Sequence, residues 1–442
     1  MDIMVLGAGI TGITTAWYLA QQGHSVTVVE RRASAGMETS FANGGQISVS
    51  HAEPWANPGA PLKVLQWLAK EDAPLLFRPR ADINQWLWGI EFLRNCTPGR
   101  TAENIRQIVN LGLYSRATLQ KLRADLGLQY HAKTKGILHF YTSQSEYDAA
   151  QAPARIMRDL GCELDMKTPD ECVAIEPALA QCRDRIVGGS MTPSDESGDA
   201  FVFTQALAAR CVAAGVTFLY NTSVVGLDAA GGELKSVQVA RGTGEAGGKI
   251  ETLTADAYVV CMGSFSAQWA KVLGQTLRIY PAKGYSVTLP VTDEAASYQV
   301  SLTDDEYKLV FSRYEGRLRI AGTAELNGYN TDLNMVRCDA IVRRVKALFP
   351  DMTDGSGARY WAGLRPATPS NVPYIGKSRA SNVFLNTGHG TLGWTHACGS
   401  AAAIADIVSG REPAVDFAFT GMPRQKRRAL VPAVVGAEAG TL

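Results

Sequence analysis

Three glycines near the start of the chain, Gly7, Gly9 and Gly12, form the pattern G-x-G-x-x-G. That spacing suits a pyrophosphate. The first glycine allows a tight turn, the second lets backbone approach the phosphates, and the third lets a helix pack closely on a strand. Ala8, Ile10 and Thr11 between them would present main-chain N–H groups at a helix N-terminus, where aligned peptide dipoles favour an anion. Glu30 stands 18 residues after Gly12, where a carboxylate can accept hydrogen bonds from ribose hydroxyls. Arg31 and Arg32 follow it and raise the alternative of a 2′-phosphorylated ribose, against which the carboxylate argues. These residues predict a dinucleotide site without choosing between a nicotinamide and a flavin.

Two further segments favour a flavin. The stretch Glu38-Thr39-Ser40-Phe41-Ala42-Asn43-Gly44-Gly45-Gln46 offers hydroxyls, amides and bare backbone to a large polar ligand. The stretch Thr387-Gly388-His389-Gly390-Thr391-Leu392-Gly393-Trp394 is a second glycine-rich loop leading into a helix. A helix N-terminus there can stabilise the negative charge of a reduced flavin. His389 sits between two glycines, so its backbone is expected to matter more than its ring.

The elements that must position these loops are legible around them. Ile3 to Leu6 is a short apolar run suited to a buried parallel strand. A helix is predicted from Ile13 to Gln22, ended by Gly23, and a second strand over Val26 to Val29. Further on, the spacing predicts helices over 102–126, 201–214 and 339–348, strands over 137–141, 216–220 and 257–261, and a strand-rich region over 276–325. Residues 228–250 are rich in glycine and alanine and read as turns. A strand over 383–386 leads through the second glycine loop into an Ala-rich helix ending near Val408. Residues 54–100 differ: five prolines (54, 58, 61, 74, 79) break them up, and Trp55, Trp67, Trp86 and Trp88 concentrate there. They read as short helices in an excursion. The end, 422–442, carries Arg424, Lys426, Arg427 and Arg428 and then a Gly/Ala tail, expected to be flexible.

Composition narrows the classes. Of 442 residues, 43 are Lys or Arg and 42 Asp or Glu, so there is no basic surplus of the kind a phosphate-backbone binder uses, and no nucleic-acid partner is expected. With 46% hydrophobic and 19% charged residues the chain has material for a large core. The eight cysteines are never closer than ten residues, which gives no zinc spacing and no metal site and suits a reducing compartment. The start lacks a signal-peptide pattern, and no run of 18 apolar residues marks a membrane span.

Over roughly residues 1–415 the chain resembles the FAD-dependent D-amino acid dehydrogenases of the D-amino acid oxidase and glycine oxidase superfamily. The resemblance rests on both loops above, on Leu93-Arg94-Asn95-Cys96, on Asp195-Glu196-Ser197-Gly198-Asp199, on Tyr280-Pro281 with Lys283-Gly284-Tyr285-Ser286, and on Gly363-Leu364-Arg365-Pro366 with Thr368-Pro369. It implies an α/β fold. A Rossmann-like FAD-binding domain with a parallel sheet would be assembled from 1–53, 195–275 and 355–421. An α+β substrate domain with a mainly antiparallel sheet would take 54–194 and 276–354. It implies oxidation of a D-amino acid to an imino acid that hydrolyses to a 2-oxo acid and ammonia. Electrons would pass to a quinone of the respiratory chain, and the enzyme would lie, soluble or peripherally bound, on the cytoplasmic side of the bacterial inner membrane.

By the same resemblance Arg365 holds the substrate carboxylate, a task that suits a bidentate guanidinium in a dry site; Pro366 and Pro369 would stiffen its setting. Val225, Gly263 and Arg365 join the cofactor contacts. Tyr285, Tyr314 and Arg313 are candidates for a second carboxylate contact or a pocket wall, and His51 for a residue facing the flavin. Hydride transfer needs orientation more than acid–base chemistry, so no catalytic acid or base is assigned. Residues 367–371 contain no cysteine and Cys398 is misplaced for attachment, so noncovalent FAD is expected. Ser370-Asn371 and His396 depart from the pattern, which expects an acidic residue before Gly and a Met. The rival readings are an oxygen-using oxidase, an oxidase of secondary amines such as D-proline or sarcosine, and a noncatalytic flavin sensor.

Overall fold

The structure, a computed structural model, describes residues 1–67, 70–242 and 249–423. Its first sheet has six strands in the order Tyr374–Lys377, Val383–Thr387, Ala257–Val260, Asp2–Leu6, Ser25–Val29, Thr217–Leu219. All neighbours are parallel except Tyr374–Lys377 against Val383–Thr387. Alternation divides the central strands between two cores. Ile3 and Val5 face the helices Ile10–Gln21, Ala200–Ala213 and Gly393–Val408. Met4 and Leu6 face a three-stranded meander through Leu234, Val237 and Val239.

That meander corrects the sequence reading of 228–250 as turns. Thr222–Ala230 and Glu233–Arg241 are antiparallel strands, and Ile250–Leu253 pairs with the second of them. Gly231 and Gly232, both at positive φ (62° and 78°), make a two-residue hairpin between the first two. Small residues weakened the strand pattern, and alternate valines buried against the first sheet supplied what local propensity lacked.

The second sheet follows the order Arg359–Ala367, Tyr280–Pro290, Arg317–Leu326, Leu309–Tyr314, Ser301–Asp304, Ile137–Tyr141, Gly188–Thr192, Asp165–Lys167, with Leu75–Phe77 also on Arg317–Leu326. It is mainly antiparallel; Ser301–Asp304 with Ile137–Tyr141 and Leu75–Phe77 with Arg317–Leu326 are its parallel pairs. Arg359–Ala367 pairs with Tyr280–Pro290 from Arg359↔Thr288 to Ala367↔Tyr280, so this strand, grouped by the sequence reading with the FAD-binding segments, is built into the second sheet. The 29-residue helix Pro98–Leu126 packs on Gly393–Val408 and on Gln144–Asp159. It opens with Pro98 at its first position, where the missing N–H is not needed, and closes on Gly127 in the left-handed region.

Candidate cofactor and substrate site

The first glycine loop occupies the C-terminal end of Asp2–Leu6, where α/β sheets bind ligands. Gly7 has φ 103°, and a Cβ there would lie 2.7 Å from the Cys261 carbonyl oxygen. A Cβ on Gly12 would overlap the Gly7 carbonyl, which is why strand and helix need glycine at that crossing. In front of Gly9 the space is open, the nearest atom to a Cβ being Ser40 Oγ at 3.9 Å. The helix Ile10–Gln21 has glycine at its N-cap and no acid in its first turn; Ile10 N donates to Ser40 Oγ at 3.1 Å, and the N–H groups that follow it remain suited to phosphate. Glu30 accepts from Ala8 N and Arg32 N, each at 2.8 Å, and burial pushes its pKa up.

A cavity of about 1040 Å³ runs from this loop between the two sheets. Gly7, Gly9, Ile10, Thr11, Glu30 and Arg31 line one end. Ala8 and Gly12 stand behind the wall as packing and turn residues. From 38–46, every residue but Phe41 lines the side of the cavity, Thr39, Ser40, Asn43, Gly44, Gly45 and Gln46 among them. Gln46 Nε2 donates to Leu302 O at 3.0 Å, tying this loop to the second sheet. Gly263 lines the cavity, as do all six residues from Gly388 to Gly393. Gly388 and Gly390 have φ 82° and 55°, and the His389 ring is buried with Nε2 lacking a hydrogen-bond partner among the described residues. Val225 is exposed, and Val224 lines the cavity in its place: on an extended strand, neighbours face opposite ways.

Arg365 lies in the cavity wall on Arg359–Ala367. Its Nη1 donates to Thr323 O at 2.7 Å and its Nη2 weakly to Gly322 O at 3.4 Å. No carboxylate pairs with it among the described residues. Burial, then the charge of Arg337, lowers its pKa to about 10. The preceding carbonyl, Leu364 O, accepts from Thr39 Oγ1 at 2.9 Å and Ser264 Oγ at 3.0 Å, which fixes the strand where Arg365 leaves it. A desolvated guanidinium with free donors facing a cavity suits a carboxylate ligand.

The other three candidates for carboxylate contact are placed differently. Tyr285 touches the cavity, but its hydroxyl donates to Glu325 in the buried wall. Tyr314 is buried beneath Gly45, where a Cβ would overlap its hydroxyl, and it does not line the cavity. Arg313 donates to Tyr298 O at 3.3 Å and pairs with Glu294. Alternation along Leu309–Tyr314 explains this: Val310 and Ser312 face the loop at Gly44, so Arg313 must face away.

His51 does face the cavity. Its loop is held by Asp195, fully buried, which accepts from Ser48 Oγ, Val49 N, Ser50 N and Ser50 Oγ at 2.7–3.1 Å and pairs with Arg116 at 3.0 Å. Burial, reinforced by the charge of His139, lowers the His51 pKa to about 4. Beside it stand residues the sequence reading missed: His139, Asp305, Lys308 and Glu53 all line the cavity. Register brings His139 to Asp305 and Lys308, since Ile137–Tyr141 lies beside Ser301–Asp304 with no local sequence signal; Glu53 comes with the loop of His51. The two departures also find places. Asn371 has φ 61°, a conformation Asn tolerates better than most non-glycine residues, and its Oδ1 accepts from Trp55 N at 3.0 Å. His396 is buried 6.4 Å from the His389 ring, and burial lowers its pKa to about 4.

An elongated cavity with a bare pyrophosphate turn at one end, glycine-rich walls along it and an orphaned His389 nitrogen fits FAD. Fold and site together define a flavin-dependent oxidoreductase. The sequence pattern of the family described as FAD dependent oxidoreductase matches residues 2–407, and the chain belongs to that family. It is 56% identical to the D-amino acid dehydrogenase of Dechloromonas aromatica (strain RCB), over 95% of this chain and 99% of that protein. It is 48% identical to the D-amino acid dehydrogenase of Paramagnetospirillum magneticum (strain ATCC 700264 / AMB-1), over 96% and 99%. Among solved structures, glycine oxidase from Geobacillus kaustophilus shares the fold, with a TM-score of 0.70 at 21% identity over 94% of this chain and 96% of that one.

Proposed function

We propose that this protein is an FAD-dependent D-amino acid dehydrogenase, oxidising a D-amino acid to an imino acid that hydrolyses to a 2-oxo acid and ammonia. The observation that carries the substrate class is Arg365, a half-buried cation without a carboxylate partner among the described residues, in the same cavity as both glycine loops. FAD bound along those loops supplies the two-electron acceptor for the substrate hydride. Gly9, Ile10 and Thr11 would hold the pyrophosphate, Glu30 the ribose, and 388–393 the flavin. Noncovalent attachment is the reading here: Cys261 is the one cysteine lining the cavity among the described residues, and its Sγ points to Thr15. The FAD-binding segments of this reading are 1–53, 195–275 and the chain after Ala367, because Arg359–Ala367 pairs with Tyr280–Pro290 in the second sheet.

A quinone acceptor and contact with the inner membrane belong to the same reading. The helix Ile83–Asn95 exposes Ile83, Trp86, Ile90 and Leu93, one apolar stripe at helical spacing, and Ala60–Trp67 exposes Leu62 and Leu65. The basic residues 424–428 lie outside the described residues. No described helix is long and apolar enough to cross a membrane. Flotation with liposomes tests the stripe: Trp86→Ser with Leu93→Ser is expected to lower the floated fraction, and equal flotation removes its role.

The deciding experiment is an anaerobic visible titration of the holoenzyme with D-alanine, L-alanine and D-proline. Bleaching by D-alanine alone is the expected result. A flavin band that no amino acid bleaches overturns the reading.

A further inference from the structure

The carboxylate of an amino acid has two oxygens, and the three residues considered for a contact beside Arg365 are committed elsewhere. Tyr285 donates to Glu325, Tyr314 lies beneath Gly45, and Arg313 pairs with Glu294. The Arg365 guanidinium itself points to another residue. It reaches across the neighbouring strand Tyr280–Pro290 to Arg317–Leu326, where Nη1 donates to Thr323 O at 2.7 Å.

Thr323 is irregular in backbone and side chain alike. The pairing runs Lys283↔Glu325 and then Tyr285↔Gly322, so Thr323 and Ala324 together oppose the single residue Gly284. This is a bulge, and Thr323 in it has φ 49°. Glycine suits such a place, whereas a β-branched side chain is strained there. Strain of this kind persists where the surroundings over-determine it, and it gathers at ligand clamps. Here Ala324 N donates to Pro74 O at 2.7 Å, and Ala324 O accepts at 3.1 Å from Nη2 of the fully buried Arg337. The side chain carries a second, independent irregularity. Thr323 lines the cavity and is partly exposed, yet its Oγ1 is buried with no hydrogen-bond partner among the described residues. Valine would fill the same space without that unpaired group, so packing alone does not explain a hydroxyl here.

We infer that Thr323 is the second contact of the substrate carboxylate, its hydroxyl donating to one oxygen while Arg365 holds the other. This rests on the D-amino acid reading. One staggered step about the Cα–Cβ bond turns the hydroxyl from the wall into the cavity, and the ligand then supplies the partner that the wall lacks. The bulge explains why the two donors act together. Its left-handed residue turns Thr323 O to the guanidinium and carries the hydroxyl on the same residue, so a single backbone irregularity fixes the place of both. Thr323 is thus a substrate-binding residue through its hydroxyl and a positioning residue for Arg365 through its carbonyl.

The test compares wild-type holoenzyme with Thr323→Val and Thr323→Ser. Two readouts are taken: the KM and kcat for D-alanine, and the Kd for pyruvate, the 2-oxo acid expected from D-alanine, from its effect on the oxidised flavin band. Valine keeps the branching and the volume and removes only the hydroxyl. Thr323→Val is expected to weaken pyruvate binding and raise KM by about tenfold, the scale of one hydrogen bond to a charged group, with the loss in KM rather than kcat. Its melting temperature without ligand should equal or exceed that of the wild type, because a buried unpaired hydroxyl has gone. Thr323→Ser restores the hydroxyl and should bind far more tightly than the valine variant. Wild-type binding by Thr323→Val overturns the inference, as does Thr323→Ser binding as weakly as Thr323→Val. A clear fall in the melting temperature of Thr323→Val also overturns it, since the hydroxyl would then be bonded within the wall. A wild type that oxidises no D-amino acid overturns the proposed function, and the pyruvate titration still decides the role of Thr323.

Discussion

Gly284 makes room for Arg365: a Cβ on Gly284 would overlap the Arg365 guanidinium. The two lie on adjacent antiparallel strands, with Gly284 opposite Gly363 and Ala282 opposite Arg365. The guanidinium therefore folds back across the strand over a gap that only glycine leaves.

Substituting either partner should separate binding from folding. Gly284→Ala is expected to displace the guanidinium and raise KM for D-alanine by about tenfold, while Arg365→Met removes a charge-assisted hydrogen bond worth roughly 1.5–3 kcal/mol, about ten- to a hundredfold in kcat/KM. Both should retain FAD, since neither changes the glycine loops. Steady-state kinetics with the flavin absorbance ratio checks this, and equal kinetics for Arg365→Met would remove it from the substrate site.

The pyrophosphate turn should fail at Gly12 before Gly9. A methyl group on Gly12 meets the Gly7 carbonyl, a backbone atom that cannot yield. On Gly9 it meets only open space. Gly12→Ala should therefore lose stability with or without FAD. Gly9→Ala should keep the apoprotein's melting temperature and weaken FAD binding by more than about tenfold, since close backbone approach to the pyrophosphate is lost. Calorimetric titration of apoprotein with FAD and thermal melts distinguish the two.

The cofactor loops were legible because their chemistry is local: a glycine turn, a helix start and an acid at fixed spacing are set by neighbours in the chain. The substrate side was less so. Arg365 came through a resemblance, while Tyr314 and Arg313 were misplaced because strand alternation and the crossing of the 38–46 loop decide which face sees the cavity. His139 and Asp305 left no signal at all, since a parallel pairing between distant strands brings them together. The meander over 222–253 was hidden for the same reason: its valines become a pattern only against the first sheet.

Asp195 is expected to be the most sensitive polar residue outside the cavity. It takes four hydrogen bonds from 48–50 and one ion pair from Arg116, all without solvent. Asp195→Ala leaves Arg116 largely buried without its counter-charge, a change that costs about 3–5 kcal/mol. Urea unfolding of the holoenzyme measures it, and a cost below about 1 kcal/mol, the scale of a surface pair, contradicts the assignment.

Asn371 offers a cleaner backbone test. Asn371→Gly keeps the left-handed conformation and loses the bond to Trp55 N, roughly 1 kcal/mol. Asn371→Ala loses the bond and also forces a Cβ into that conformation, roughly 1–2 kcal/mol more. The expected order of urea midpoints is Asn, then Gly, then Ala. Gly equal to or below Ala would mean that the conformation does not govern this position.

Acid should weaken the fold before its carboxylates titrate. His51 and His396 are lowered by burial from 6.5 to about 4, and His389 to about 3. Between pH 6.5 and about 4 the unfolded chain binds protons that the folded chain refuses, so stability rises with pH across that window and is fully present above it. Glu30, raised by burial, acts in the opposite sense, so a difference between variants is the sound reading. His396→Met removes one of the three histidines without touching the cavity lining. The melting temperature of this variant should fall less than that of the wild type from pH 7 to pH 4.5, and the two should run parallel above pH 7. Parallel curves across the whole range would mean that His396 is protonated in the folded state.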